Sequence, residues 1–259
     1  MKFIKLLLLT LLFINSAYIH AAELISLDTR KGVQQKFILI TPDKPVASVI
    51  LFAGGNGILD ISGSNSINKK ENNFLIRSRD YFVDHGFIVA IVDAPSDAQE
   101  KPGMLFGFRD SDEHMTDMDH VIGYLNKHAK LPVWLVGTSR GTESATNIAI
   151  ESKQNPRGLV LTSSMSVENA KGTAVNEMEL EKIKIPTLIV AHEDDGCHVT
   201  PPEASQEIKE MLTNSKKVEV KMFTGGSESG RACKGRSYHG FEDIEESVVT
   251  HIANFIKAN

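Results

Sequence analysis

The chain has 259 residues, 41% hydrophobic and 24% charged. That is enough for one sizeable core, and it excludes a disordered tail, a collagen-like fibre and a polytopic membrane protein. Basic residues number 28 and acidic residues 33, a formal charge of −5, which disfavours nucleic acid or an anionic membrane as partner. Two cysteines are too few for a disulfide-framework miniprotein or a zinc site of four thiolates.

Residues 1–22 read as a secretory signal peptide, with residues 23–259 as a single domain. Lys2 and Lys5 supply the positive start, and Leu6 to Ile14 is apolar apart from Thr10. That run has the length of a signal core and is short for a membrane span. Ala21 and Ala22 offer small residues for cleavage. A retained N-terminal anchor is the alternative. Export, periplasmic or fully secreted, places the protein in an oxidising compartment with no membrane attachment after cleavage. There Cys197 and Cys233 are expected to pair; two buried free thiols are the alternative.

Beyond the signal, strands are expected at Glu23–Leu27, Gln34–Ile40, Ala47–Ala53, Phe87–Asp93, Pro132–Val136, Gly158–Thr162, Pro186–Ala191 and Val218–Phe223. From Ala47 onward these runs are dense in Val, Ile and Leu without alternation, as in strands covered on both faces. The first two alternate and are joined by Arg30-Lys31-Gly32, a hairpin signal. Helical spacing predicts helices over Asn73–His85, Asp112–His128, Thr142–Ser152, Pro202–Leu212 and Phe241–Lys257. Strands alternating with helices imply a mostly parallel eight-stranded α/β sheet with helices on both faces. Only about 23 residues separate Thr162 from Pro186, room for one helix but not for a large cap domain.

Gly137-Thr138-Ser139-Arg140-Gly141 is a G-x-S-x-G element placed between an expected strand and an expected helix, the setting this motif requires. The sharp turn tolerates no side chain at the glycines and lifts the serine above the sheet. A serine hydroxyl near neutral pH needs a base, and the base needs an orienting acid. On this architecture they follow in the order Ser, acid, His. After the strand ending at Ala191 comes His192-Glu193-Asp194-Asp195-Gly196-Cys197-His198. Asp195 is favoured as the acid because Gly196 turns the chain after it, ahead of Asp194 and Glu193. A metal site built from this cluster is the rival, disfavoured because neighbours in an extended run point different ways. His239, in Ser237-Tyr238-His239-Gly240-Phe241, lies where the base should stand. His251 falls on the apolar face of the last helix and is expected to pack there.

An oxyanion needs two N–H donors. The Arg140 amide is one; the Gly55 amide, in Gly54-Gly55-Asn56-Gly57, is the other, with Asn56 as second choice. The glycine run is not a phosphate loop, because no Gly-Lys-Ser/Thr follows.

Together these segments resemble the α/β-hydrolase superfamily over essentially the whole chain after the signal. Val49–Gly57 is similar to the oxyanion-loop region, Gly137–Gly141 to the nucleophile elbow, Pro186–Asp195 to the acid strand and His239-Gly240 to the base loop. More narrowly, Val92–Asp97, Gly107–Arg109, Gly137–Thr142, Asp195-Gly-Cys197 and Cys233 through Phe241 resemble exported bacterial members of that superfamily. Ala53 stands where many relatives carry His. The resemblance implies a serine hydrolase acting through Ser139, Asp195 and His239. It also makes a Cys197–Cys233 bridge plausible, holding the acid and base loops in register across the flexible Gly225–Gly230 segment.

Other features carry less. Arg109 could bind a substrate carboxylate, but pairing with Asp110 is favoured. His114, Asp117 and His120 have helical spacing and are expected to be solvated or packed, not metal ligands. Ser66-Ile-Asn-Lys69 is an S-x-x-K string without its companion motifs. No G-x-G-x-x-G follows a strand, so neither nucleotide nor other cofactor is implied, and no metal. The expected partner is a small-molecule acyl compound, an ester by default. Amide hydrolysis, acyl transfer or a silent binding scaffold are the alternatives on the same fold.

Overall fold

The computed structural model describes residues 21–259. The expected signal falls outside these residues except for Ala21 and Ala22, which open the first strand. Strand β1 (Ala21–Arg30) turns through Gly32, at φ 75°, into β2 (Val33–Thr41). Then come β3 (Ala47–Phe52), a short hairpin of β4 (Ile61–Gly63) and β5 (Ser66–Ile67), helices α1 (Phe74–Arg77) and α2 (Arg79–Asp84), and β6 (Phe87–Val92). Helix α3 (Asp112–Ala129), β7 (Val133–Ser139), α4 (Gly141–Glu151) and β8 (Gly158–Ser164) follow. The chain closes with β9 (Thr187–His192), α5 (Ala204–Met211), β10 (Val218–Phe223) and α6 (Glu245–Ala258).

Eight strands form one sheet in the order β1-β2-β6-β3-β7-β8-β9-β10. The β1–β2 and β2–β6 pairs are antiparallel, and every pair from β6 to β10 is parallel. The sheet is covered on both faces, which explains why its central strands are continuously apolar. Val49 and Leu51 of β3 pack into a core with Phe74 of α1, Phe82 of α2 and Ile252 of α6. Their neighbours Ile50 and Phe52 face the other way, onto Met118 of α3, Ala145 of α4 and Ile208 of α5. The alternation of side chains along an extended strand thus divides one hydrophobic run between two cores.

Several boundaries differ from expectation. Pro132 and Pro186 precede their strands and contribute only carbonyls, to Ser48 and Leu159, because proline has no N–H for the ladder. The helix expected over Asn73–His85 breaks at Ser78, whose φ/ψ of −95°/3° lies outside the helical region. The last helix begins at Glu245, not Phe241. Residues Tyr238–Gly240 instead form a single 3-10 turn, closed by Phe241 at φ 57°. Two short 3-10 turns, at Val175–Glu177 and Leu180–Lys182, occupy the segment between β8 and β9. Among the described residues no helix is long and apolar enough to cross a membrane.

Candidate functional site

The site gathers at the carboxyl edge of the parallel strands, where open α/β sheets place their ligands. Ser139 is the last residue of β7 and has φ 52°. A non-glycine residue in this region is strained by about 1–3 kcal/mol and persists only where its surroundings enforce it. Here the enforcement is steric. A Cβ on Gly137 would lie 2.5 Å from the Gly141 carbonyl oxygen and 2.8 Å from Thr142 Cα. One on Gly141 would collide with the Phe52 carbonyl, and one on Gly54 would approach Ser139 Cβ to 2.9 Å. Three glycines therefore let α4, β3 and the serine close upon one another. Thr142 Oγ1 donates to the Ser139 carbonyl at 2.6 Å and accepts from the Met165 amide at 3.0 Å, fixing the turn to the end of β8.

Asp195 follows β9 and is buried; His239, on its 3-10 turn, is buried too. They meet across 44 residues of sequence: His239 Nδ1 lies 2.9 Å from Asp195 Oδ2. The carboxylate is held on both oxygens. The Cys197 amide donates to Oδ1 at 2.9 Å, and Thr200 Oγ1 donates to Oδ2 at 3.0 Å while lying 3.1 Å from His239 Nδ1. Ser163 Oγ donates to the His239 carbonyl at 2.8 Å, and Arg77 Nη2 donates to the Gly240 carbonyl at 2.6 Å. The imidazole is thus fixed by its own ring nitrogen and by the backbone on either side. Neither Asp194 nor Glu193 reaches it; both are exposed.

Ser139 and His239 line one cavity of about 420 Å³, together with Gly54, Gly55, Lys70 and Phe74. Ser139 Oγ makes no hydrogen bond to His239 among the described residues. A larger depression of about 1030 Å³ opens at the opposite end of the sheet, around Pro132, Pro156 and Asn259. It lies at the amino ends of the strands and holds none of these groups.

The Arg140 amide stands at the N-terminus of α4, where backbone N–H groups have no intrahelical partner. Its side chain points away, bonding Glu143 at 2.8 Å and Asn169 at 2.6 Å. Burial pushes the Glu143 carboxyl up to about 7, against the pull of Arg109 and Arg140. Gly55 has φ 61°, and its amide donates to no backbone carbonyl among the described residues.

The loop bearing Gly55 is held from beneath by a residue whose role differs from the expected one. Arg109 does not pair with Asp110, which accepts from Thr173 instead. It is 2% exposed and donates to Ser144 Oγ at 2.7 Å, to the Ala53 carbonyl at 2.9 Å and to the Gly55 carbonyl at 3.1 Å. Burial lowers its guanidinium to about 10. Asp93 performs the matching task on the next turn, accepting from the amides of Leu59 and Ile61 at 2.7 and 2.9 Å.

Cys197 and Cys233 form a disulfide across 36 residues. It joins the segment whose amide holds Asp195 to the segment that borders the cavity. Asp195, Cys197 and His239, and likewise Cys197, His198 and Cys233, cluster closely enough to suggest a metal. The bridged sulfurs are not thiolates, however, and the Asp195 and His239 atoms are engaged with each other. His192 is turned aside, stacked on Tyr238 at 4.6 Å and bonded to the Gly225 carbonyl at 2.7 Å. His251 packs edge-on to Phe223 as expected of the apolar face, and also meets Glu219 Oε1 at 2.8 Å. Asp117 is buried and bonds Thr29 and Arg30, and His120 bonds the Thr116 carbonyl of its own helix.

Thr200, Asp93, Ser163 and Lys70 escape a sequence reading that looks for a nucleophile, an acid and a base. The Val92–Asp97 segment contains Asp93, and the S-x-x-K string ends beside Lys70, but neither points to the role the fold gives these residues.

A dienelactone hydrolase from Anabaena variabilis superposes with a TM-score of 0.67 at 14% identity, covering 92% of this chain and 98% of that one. The chain has the α/β-hydrolase fold. An esterase of Pyrococcus furiosus is similar with a TM-score of 0.64 at 16% identity, over 92% of this chain and 93% of that one. A cold-adapted esterase from an Arctic intertidal metagenomic library gives 0.62 at 14% identity, over 90% and 93%. No protein-family profile and no curated protein matches the sequence. The chain order Ser139, Asp195, His239, at the end of β7, after β9 and in the turn between β10 and α6, is the order in which this fold carries a serine, an acid and a histidine.

Proposed function

We propose that this α/β-hydrolase-fold protein is an exported serine hydrolase that cleaves a carboxylic ester. Its nucleophile would be Ser139, its base His239 and its orienting acid Asp195. The observation that carries the reading is a strained serine sharing a cavity with an imidazole whose far nitrogen is bonded to a buried carboxylate. In this mechanism His239 Nε2 takes the proton of Ser139 as Oγ attacks the acyl carbonyl. Asp195, held by Thr200 and the Cys197 amide, keeps the Nδ1–H tautomer and stabilises the imidazolium. The amides of Arg140 and Gly55 hold the oxyanion, and His239 then protonates the leaving alkoxide. Water, activated by the same imidazole, releases the acid.

An ester is the natural substrate because an alkoxide leaves more readily than an amine, and the solved esterases of the same fold agree with it. The secretory reading of residues 1–22 and the Cys197–Cys233 bridge support an exported location. The test is hydrolysis of short-chain 4-nitrophenyl esters by wild-type and Ser139→Ala protein. The variant is expected to melt normally and lose hydrolysis by about 10³-fold or more; retained activity rejects the assignment.

A further inference from the structure

The cavity over Ser139 has a charge pattern that the acyl-transfer chemistry does not require. Of the residues lining it, Lys70, Arg231, Lys234 and Arg236 are cationic and none is acidic. This occurs in a chain whose net charge is −5, so the pattern is local. Among the described residues only Arg236 has a carboxylate partner, Glu242 at 3.7 Å. Lys70, Arg231 and Lys234 have none.

Lys70 is the innermost of the four. It is partly buried, and a Cβ placed on Gly55 would sit 2.8 Å from its Nζ. Its ammonium therefore lies directly against the loop assigned to the oxyanion. Burial and the nearby charges of Arg109, Lys234 and Lys69 lower it to about 8. Holding the Lys70 ammonium partly out of water, with further cations facing it and no counter-charge, is costly unless an anion completes the set.

The other three stand on one rim, which is fixed to its surroundings. Cys233 ties it to the Asp195 loop, and Arg236 Nε donates to Asn72 Oδ1 at 3.2 Å. Gly235 packs so tightly on the Asn72 carbonyl that no Cβ could be accommodated. A preformed rim loses little entropy when a ligand arrives.

We infer that the site selects anionic esters, with Lys70 and the rim formed by Arg231, Lys234 and Arg236 receiving a carboxylate or similar group on the part of the substrate that does not react. This rests on the serine-hydrolase reading and narrows it.

The experiment uses two matched ester pairs. In one the charge is on the acyl side: 4-nitrophenyl hemisuccinate against its methyl ester. In the other it is on the leaving group: the acetyl ester of 3-hydroxybenzoate against that of methyl 3-hydroxybenzoate. In at least one pair the anionic member should have a kcat/KM about tenfold higher or more at low ionic strength, with the ratio shrinking as salt is added. Lys70→Gln and Lys234→Gln should each move that ratio toward one. Should Lys70→Gln not fold, Lys234→Gln on the exposed rim carries the test. Anionic members that are equal or slower in both pairs, or a preference that survives the lysine substitutions, overturn the inference and leave the hydrolase reading intact. If no ester is cleaved and Ser139 resists phosphonylation, the hydrolase reading falls and takes this one with it.

Discussion

Replacing both cysteines by alanine perturbs stability and activity by separable amounts. The bridge joins residues 36 apart. Closing a loop of that length removes chain entropy worth about 4 kcal/mol from the unfolded state. For a domain of this size each kcal/mol moves Tm by roughly 2–4 °C, so the Cys197→Ala/Cys233→Ala protein should melt roughly 8–16 °C lower. The activity effect has a different origin. Cys197 supplies the amide that holds Asp195 Oδ1, and Cys233 anchors the stretch that runs from β10 to His239. Freed of the bridge, that stretch allows the imidazole to sample orientations away from Ser139. Initial ester-hydrolysis rates measured well below the lowered melting transition should show a smaller kcat with KM changed less. Melting curves and rates, taken side by side on the double variant and on wild-type protein treated with dithiothreitol, provide the test. A melting point within about 2 °C of wild type refutes the stability reasoning, and an unchanged kcat in the destabilised protein refutes the positioning role.

Thr200→Val removes the hydroxyl donor to Asp195 Oδ2 at nearly constant volume. A bond to a charged acceptor is worth about 1.5–3 kcal/mol, so kcat should fall by roughly 10–100-fold with little change in KM; equal kcat values reject the role. Arg109→Met leaves the Ala53 and Gly55 carbonyls and Ser144 without their shared donor, and should lower both Tm and kcat. A variant that lowers Tm alone removes Arg109 from any part in catalysis through the Gly55 loop. His114 is buried between Phe52 and Phe108, neither ring nitrogen has a hydrogen-bond partner among the described residues, and burial lowers it to about 3. Unfolded, it binds a proton near pH 6.5, so between there and about pH 3 the unfolded state holds more protons and stability drops as pH falls. The loss is on the order of 1.4 kcal/mol per pH unit. His114→Leu should be more stable at neutral pH and lose this acid sensitivity in denaturant titrations; an unchanged pH slope contradicts the assignment. Lys70, lowered to about 8 by burial with Arg109, Lys234 and Lys69 facing it, is cationic below that pH and neutral above it. The anionic-to-neutral ester ratio should therefore fall from about pH 7 to about pH 9. His239, across the cavity, acts on both members alike and cancels in the ratio.

The sequence carried the parts of the site that are local in origin. Gly137, Ser139 and Gly141 are legible because a strand-to-helix turn this tight excludes side chains within a few residues of one another. The central strands β3, β6, β7, β8 and β9 are legible because two-sided burial makes them continuously apolar, and β1 and β2 because they alternate about a hairpin turn. Their edges follow finer rules: Pro132 and Pro186 lie outside the ladder for want of an N–H. Helix α6 starts at Glu245 and not at Phe241 because Tyr238–Phe241 is taken up by the turn that carries His239. Distant contacts left no trace in spacing. Arg109 has Asp110 beside it in sequence, yet its partners lie 54 and 56 residues upstream and 35 downstream, a consequence of burial under the β3 loop. Thr200 and Lys70 are ordinary polar residues until the fold sets one on the carboxylate of Asp195 and the other over Gly55.

Whether Ser139 is the nucleophile can be read directly by treating the purified protein with a fluorophosphonate and locating the adduct by peptide mass spectrometry. A stoichiometric adduct on Ser139, absent from Ser139→Ala and slowed by about 10²-fold or more in His239→Ala, is the expected result. An unlabelled Ser139 in a preparation that hydrolyses esters, or labelling that ignores the loss of His239, would contradict the account.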